Sequence, residues 1–109
     1  MKFDATWSLI LQDKKTQTTR PVHQLDWYRD HPATGKKVKV EADDPRCPEE
    51  TEIMLTQVFK ARLGDVASNA EHYVREGFSS GQEFVDTWKR LHGNFDPEQE
   101  VCVIRFVRV

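Results

Sequence analysis

The feature that most constrains the fold is the C-terminal segment, residues 101–109, which is apolar on both faces. A half-buried strand alternates apolar and polar residues, whereas a strand that is buried on both faces is apolar at nearly every position. We therefore expect this segment to be a central strand that pairs with strands from earlier in the chain. Such long-range pairing favours a small, curled, mixed β-barrel with helices packed on its side, which is an α+β fold.

Residues 80–93 carry the clearest helix signals in the chain. Ser80, followed three residues later by a glutamate, forms a capping box, which favours the start of a helix. Phe84, Trp88 and Leu91 then recur at helical spacing, and Gly93 stands where a glycine commonly ends a helix. The position of Trp88 on this apolar stripe predicts that it belongs to the core.

Two other segments carry weaker helix patterns. Residues 68–76 place apolar side chains at helical spacing, and Gly77 follows where the helix should end. Near the N-terminus, Asp4 can cap a short helix that ends near Asp13, because an aspartate tolerates the left-handed conformation found at helix ends. About three helices are therefore expected in all.

The remaining segments predict strands and loops. Residues 36–42 alternate apolar and charged side chains, as a half-buried strand does. Residues 51–63 predict one long strand, or two strands joined by a bulge. Residues 21–35 and 43–50 are predicted to be loops, with a turn at residues 32–35. The long strand is expected to carry Ile53, Leu55, Phe59 and Ala61 on one face and Met54 and Val58 on the other.

Size and charge limit the number of domains and the classes of function that the chain can have. At 109 residues, with 38% hydrophobic and 31% charged residues, the chain is expected to fold as one domain over residues 1–109. The formal net charge of −2 and the pI of about 6.1 argue against a protein that coats nucleic acid through bulk charge. They do not exclude a local basic cleft, because an electrostatic field depends on where the charges lie.

The sequence also predicts where the protein is located. No apolar run is long enough to span a bilayer, and no apolar core of a signal peptide follows the first four residues. Cys47 and Cys102 are too few and too far apart to indicate a disulfide framework. We expect a reduced, cytoplasmic protein, and a single bridge between these two cysteines is the alternative.

The most unusual polar segment is residues 14–20, which holds three cations and three hydroxyl groups. Its β-branched threonines favour an extended backbone, so we expect a strand over residues 16–20. In a strand, Thr16, Thr18 and Arg20 share one face, and Lys15 reaches that face only from the turn before the strand. These donors and acceptors suit a polar ligand with carbonyl or phosphate oxygens. A solvated edge strand, whose lysines discourage aggregation, is the alternative.

The order of the segments KKTQTTRP, GKKVKV, EGF with a capped helix behind it, and VCVIRF resembles an ASCH domain, a family related to the PUA-like RNA-binding barrels. The resemblance covers residues 7–106. The family usually has a glycine before the two lysines, where this chain has Asp13. The resemblance implies a PUA-like β-barrel with a cleft between barrel and helices, suited to RNA or a nucleoside.

The resemblance also implies catalytic residues. Some ASCH proteins are small amidohydrolases that remove the acetyl group from N4-acetylcytidine with the lysine and threonine of a KTxT motif and a distant glutamate. The matching residues here are Lys15, Thr18 and Glu76. Glu76 stands at a predicted helix C-terminus, where the helix dipole disfavours a carboxylate, and this mismatch fits a residue kept for another purpose.

Amide hydrolysis requires a nucleophile, a base and a proton donor for the leaving amine. Thr18 is the candidate nucleophile, and Lys15 is the candidate base if burial or a nearby cation lowers its pKa. Glu76 is a candidate for protonating the leaving nitrogen or for activating water, and Arg20 for stabilising an oxyanion. The structural alternatives are a surface lysine, a strand-forming threonine and a helix-end carboxylate.

Further candidate binding residues lie beside this set. Lys14 and Thr16 belong to the same polar segment as Arg20, and Trp27 and Tyr28 stand in the predicted loop that follows. The two aromatic side chains can stack on a base, or they can cover the end of the barrel.

The histidines and cysteines show no metal-ligand spacing, and there is no CxxC motif, so neither a metal nor another cofactor is expected. The expected partner is a modified nucleoside or single-stranded RNA, with no membrane partner, and we expect a monomer. Three functions remain open: an amidohydrolase that deacetylates N4-acetylcytidine-like nucleosides, a non-catalytic RNA-binding module, and a single-strand ribonuclease that uses the same cleft.

Overall fold

The C-terminal segment pairs with neighbouring strands along both of its edges, as predicted. The computed structural model describes residues 1–4, 6–30, 32 and 34–109. Along these residues the elements are β1 (Lys2–Phe3), α1 (Trp7–Leu11), β2 (Gln17–Pro21), α2 (His23–Asp30), β3 (Lys37–Lys39), β4 (Glu41–Ala42), β5 (Glu52–Arg62), α3 (Leu63–Ser68), α4 (Ala70–Arg75), α5 (Gly81–His92) and β6 (Glu100–Arg108).

The main sheet has four antiparallel strands in the order β2-β6-β5-β3, and β1 pairs with β4 in a separate parallel ribbon. The sheet curls into half of a barrel, and the helices pack against it, so the predicted α+β barrel-like fold is confirmed. The described residues form five helices rather than the three or so expected. β2 lies at an edge of the sheet, which leaves one side of that strand open for a site.

β6 separates two hydrophobic cores, because its alternate side chains point to opposite faces. Cys102, Ile104 and Phe106 belong to the first core, which also contains Trp7 and Ile10. Val101 and Val103, on the other face of β6, belong to the second core, which forms against the helices that follow β5. The second core consists of Leu63, Val66, Phe84, Trp88, Val101 and Val103.

The long strand β5 contains the bulge that its length suggested, with a register shift between Leu55 and Gln57. An extra residue in a strand reverses which face each later side chain occupies. Val58 therefore packs on the first core with Leu55, while Phe59 and Ala61 pack on the second. The expectation that Phe59 and Ala61 share a face with Leu55 was wrong for this reason.

Residues 21–35 were predicted to be a loop, but residues 23–30 form helix α2. Leu25 and Tyr28 of this helix pack on the first core, and no residue of the helix is fully buried. A helix with such a narrow apolar contact gives little periodic signal in sequence. The turn predicted at residues 32–35 includes Ala33, which lies outside the described residues, while Gly35 has the positive φ of +84° expected in a turn.

The helix ends follow the sequence signals closely. Asp13 follows α1 with a φ of +57°, the left-handed conformation predicted for it. Ser80 accepts a hydrogen bond from the Glu83 N–H at 3.2 Å, which is one half of the predicted capping box. The helical segment predicted at residues 68–76 begins instead at Ala70, because Asn69 is its N-cap. A short additional helix, α3, precedes it.

Two further features concern membrane-spanning helices and disulfide bonding. Among the described residues, no helix has the length and apolar character needed to cross a bilayer. Cys47 and Cys102 are both unpaired, so the alternative of a bridge between them is not realised.

Candidate functional site

Glu76 lies immediately after α4 and is buried, with only 3% of its surface exposed. Its Oε2 accepts hydrogen bonds from Gln17 Nε2 at 2.8 Å and from the Thr19 hydroxyl at 3.0 Å. Both donors come from β2, which is about sixty residues away in the chain. These bonds compensate a carboxylate that is buried and also lies at the unfavourable end of a helix dipole.

Lys15 lies at the start of the strand segment and is 5% exposed. Its Nζ donates to the Glu76 carbonyl oxygen at 3.0 Å and lies 4.0 Å from Glu76 Oε1. Burial lowers the pKa of the Lys15 ammonium, and the charge of Arg20 adds to this, while the carboxylates of Glu76 and Asp4 act in the opposite direction. A lysine of this kind can exchange a proton more readily than a solvated one.

The backbone explains why these two residues meet. After α1, the left-handed Asp13 turns the chain towards α4, and its carboxylate is held by Arg108. The Thr16 N–H then donates to the Arg75 carbonyl oxygen at 2.7 Å, which joins the residue before β2 to the end of α4. The segments that carry Lys15 and Glu76 are thereby fixed against each other by main-chain contacts.

A cavity of about 390 Å³ opens beside this pair, between β2, the N-terminal segment and α5. Its volume falls in the range of small-molecule sites. The structure brings the three predicted catalytic side chains, Lys15, Thr18 and Glu76, to the wall of this cavity, together with Arg20. The apolar part of the wall is formed by Phe3, Phe78, Phe84, Trp88 and Leu91.

The side chains of β2 alternate in a way that the sequence analysis did not anticipate. Gln17 and Thr19, which lie on the same face of the strand, reach Glu76 directly. Thr18 also lines the cavity, but within the described part of the chain its hydroxyl has one long contact, 3.4 Å, from Arg20 Nε. Strict alternation from Lys15 would have pointed to residues 17 and 19 as the partners of a shared site.

A second carboxylate, Asp4, lines the cavity and was not predicted to belong to the site. It accepts hydrogen bonds from the Thr6 N–H at 2.9 Å and from the Thr6 hydroxyl at 2.8 Å. Burial opposes its ionisation, but these bonds and the charges of Lys15 and Arg90 outweigh burial and lower the pKa of Asp4. The sequence offered this residue as a helix cap, so its place in the site depends on tertiary contacts.

Arg20 connects the cavity to a second hollow of about 500 Å³. The two spaces share Lys2, Arg20 and Gln24, and the second is also lined by Trp27 and Tyr28. The rings of these two aromatic residues pack edge to face at 4.9 Å, and Trp27 is 53% exposed. The predicted aromatic pair therefore lies on helix α2, adjacent to the catalytic candidates but outside their cavity.

Lys14 and Thr16 lie elsewhere. Both line a shallow groove at the end of α4, together with Arg75 and Ser79. The structure therefore does not bring these two predicted binding residues to the cavity that holds Lys15.

The cavity wall contains one unusual polar atom. Trp88 Nε1 is buried, and within the described chain it has no hydrogen-bond partner. The same indole packs against the His92 ring at 4.0 Å and the Phe84 ring at 6.2 Å between centroids.

Among the described residues, no group of three or more His, Cys, Asp or Glu side chains is arranged to hold a metal ion, and His31 lies outside that part of the chain.

No protein-family model and no curated protein sequence matches this chain. Several solved structures do. The crystal structure of an ASCH domain from Lactobacillus crispatus aligns with 94% of this chain and 69% of its own, at 19% identity and a TM-score of 0.56. A protein from Enterococcus faecalis described by the family model DUF984 aligns with 97% of this chain and 68% of its own, at 19% identity and a TM-score of 0.63.

A variant of an ASCH protein from Zymomonas mobilis aligns with 98% of this chain and 66% of its own, at 17% identity and a TM-score of 0.62. At identities this low, the likeness concerns the arrangement of the backbone. The chain therefore has the fold of the ASCH domains that its sequence resembles.

Proposed function

We propose that the chain is an amidohydrolase that removes the acetyl group from N4-acetylcytidine or a closely similar modified nucleoside. The observation that supports this most is the buried contact between Lys15 and Glu76, with a nitrogen-to-oxygen distance of 4.0 Å, at the wall of a cavity that Thr18 also lines. The cavity volume, about 390 Å³, suits one nucleoside, and its apolar wall suits a planar base.

In the first step, the Thr18 hydroxyl attacks the acetyl carbonyl carbon, and its proton passes to the neutral amine of Lys15. The bond between this carbon and the exocyclic nitrogen then breaks. The leaving nitrogen takes the proton from Lys15, which releases cytidine and leaves an acetyl ester on Thr18. The lowered pKa of Lys15 supports this role, because losing its proton then costs less than it does for a solvated lysine.

In the second step, water attacks the ester carbon, and its proton passes to the Glu76 carboxylate. The carbon–oxygen bond to Thr18 breaks, the threonine oxygen regains a proton from Glu76, and acetic acid leaves, which loses its remaining proton to water and becomes acetate. The hydrogen-bond pattern supports the assignment of Glu76 as a base, because both of its bonds from β2 are accepted. Arg20, which lines the same cavity, carries the positive charge suited to a developing oxyanion.

The test is turnover of N4-acetylcytidine to cytidine and acetate by the purified protein. Lys15→Met, Thr18→Val and Glu76→Gln keep side-chain size and should each lower kcat by at least about 100-fold. Lys14→Met is the matched comparison, since Lys14 neighbours Lys15 but lines the separate groove; it should keep wild-type turnover. Absence of turnover in the wild-type protein, or full activity of Thr18→Val, would refute the proposal.

A second candidate, binding of single-stranded RNA without turnover, is favoured by the hollow next to the cavity. Its lining joins the basic side chains Lys2 and Arg20 to the exposed ring of Trp27. Cations that contact phosphates and rings that stack on bases are the usual elements of single-strand binding. Salt-sensitive binding of a short RNA that Trp27→Ala weakens about 5- to 150-fold, without any deacetylation, would favour this candidate. Shortening of the RNA that is lost in Lys15→Met would favour a ribonuclease instead.

The proposal also covers the compartment in which the protein acts and its oligomeric state. The two unpaired cysteines support a reducing compartment such as the cytoplasm. We propose that the protein acts there as a monomer, which the molar mass of the purified protein by light scattering would test.

A further inference from the structure

Gln17 is a buried residue whose side-chain amide contacts the carboxylate of Glu76, the candidate catalytic residue. It has no exposed surface, and its Nε2 lies 2.8 Å from Glu76 Oε2. It is not among the described residues that line the cavity, so it does not meet a ligand there. A polar side chain is rarely placed in such a position without a specific partner, because an unpaired buried amide costs about 1–3 kcal/mol.

Arg105 determines which way this amide points. Its Nε lies 3.0 Å from Gln17 Oε1, and a guanidinium has donors but no acceptor. The oxygen of the amide must therefore face Arg105, which leaves the NH₂ group to face Glu76. Arg105 is held in turn by the Phe59 ring at 5.1 Å and by Gln57 Oε1 at 3.4 Å.

The two donors from β2 converge on one oxygen of the carboxylate. Gln17 and Thr19 both bond to Oε2, while Lys15 Nζ approaches Oε1 at 4.0 Å. Two directional bonds to one oxygen fix the rotation of the carboxyl group. Oε1 is then the oxygen that remains for Lys15 and for whatever occupies the cavity. Placement of this kind is how supporting residues prepare a reactive group.

We propose that Gln17, oriented by Arg105, is a positioning residue that holds Glu76 so that Oε1 faces Lys15 and the ligand. His72 lies at the edge of this arrangement, with its Nδ1 3.2 Å from Gln17 Nε2. The consequence for turnover rests on the proposed function, but the coupling between Gln17 and Glu76 does not. The two parts are therefore tested separately.

The coupling is tested by the unfolding midpoints of Gln17→Met, Glu76→Gln and the double variant in urea. We expect the double variant to lose clearly less than the sum of the two single losses, because each single change removes the same contact. Gln82→Met combined with Glu76→Gln is the matched control, since Gln82 is an exposed amide of α5 that donates to Asp86 at 2.9 Å and does not share Arg105 with Gln17. The losses in this control should add. Additive losses in the Gln17 cycle would overturn the proposal. If Gln17→Met does not fold, Arg105→Met replaces it in the cycle with the same expectation.

The positioning role is tested by the kinetics of Gln17→Met with N4-acetylcytidine. We expect kcat to fall at least about tenfold while KM changes less than about threefold, because Gln17 supports Glu76 without touching the ligand. A raised KM with unchanged kcat would overturn the assignment. If the wild-type protein does not hydrolyse this substrate, the proposed function fails, and the unfolding cycle still decides whether Gln17 and Glu76 are coupled.

Discussion

Thr18 and Thr19 are adjacent in sequence, yet replacement by valine should lower stability at position 19 and turnover at position 18. Thr19→Val removes the hydroxyl that donates to Glu76 Oε2 at 3.0 Å, and both residues are buried. A hydrogen bond to a charged group contributes about 1.5–3 kcal/mol, and valine fills the same volume in a strand, so we expect a loss of about 2 kcal/mol. For a domain of this size, that lowers Tm by about 8 °C.

Thr18→Val is the matched comparison. Among the residues that the structure describes, the Thr18 hydroxyl takes part in one long contact, 3.4 Å from Arg20, so its loss should change stability by less than about 0.5 kcal/mol. Under the proposed mechanism, the same variant should lower kcat at least about 100-fold because the nucleophile is gone. Urea unfolding and N4-acetylcytidine turnover measure the two effects.

Equal losses of stability in the two variants would refute this reasoning, and so would a Thr19→Val protein as stable as wild type. A further check is the Glu76→Gln background, in which the acceptor is neutral. There the cost of Thr19→Val should fall to about 1 kcal/mol, since a bond between neutral groups is weaker. A cost that stays at its original value would mean that Thr19 stabilises the fold through another contact.

Three further outcomes are expected. Gly81→Ala should lower the free energy of unfolding by about 3 kcal/mol, because the added Cβ would collide with a main-chain oxygen of α3, whereas Gly93→Ala, with open space and a φ of +90°, should cost about 1 kcal/mol in urea unfolding. Burial and then a nearby arginine lower the pKa of His72 from its usual 6.5, so the unfolded chain takes up this proton first as the pH falls. When unfolding is followed across pH, the wild-type protein should therefore lose stability relative to His72→Gln as the pH drops below about 6.5. This loss should level off once the pH is below the folded-state pKa. Burial raises the pKa of the Cys102 thiol to about 11, so iodoacetamide should label the half-buried Cys47 first, and mass spectrometry should find Cys102 labelled only after unfolding.

Local signals predicted much of the fold. The apolar run at the C-terminus gave a central strand, and the serine before α5 gave the start of that helix. The aspartate at position 13 takes the left-handed conformation that short polar side chains tolerate. Helix α2 was missed because, among the described residues, two of its side chains, Leu25 and Tyr28, pack on a core, and two positions do not create a periodic pattern.

By itself, the sequence determined the central strand, the long strand and the well-capped helix, and which residue types are available for chemistry, because backbone preference and apolar spacing act over a few residues. Tertiary structure decided which polar groups share an environment. Gln17 and Glu76 meet across 59 positions of sequence, and the lowered pKa of Lys15 arises mainly from a burial that no residue next to it in sequence imposes. Hydrogen bonding and desolvation depend on distance and solvent access in three dimensions, which spacing along the chain does not encode.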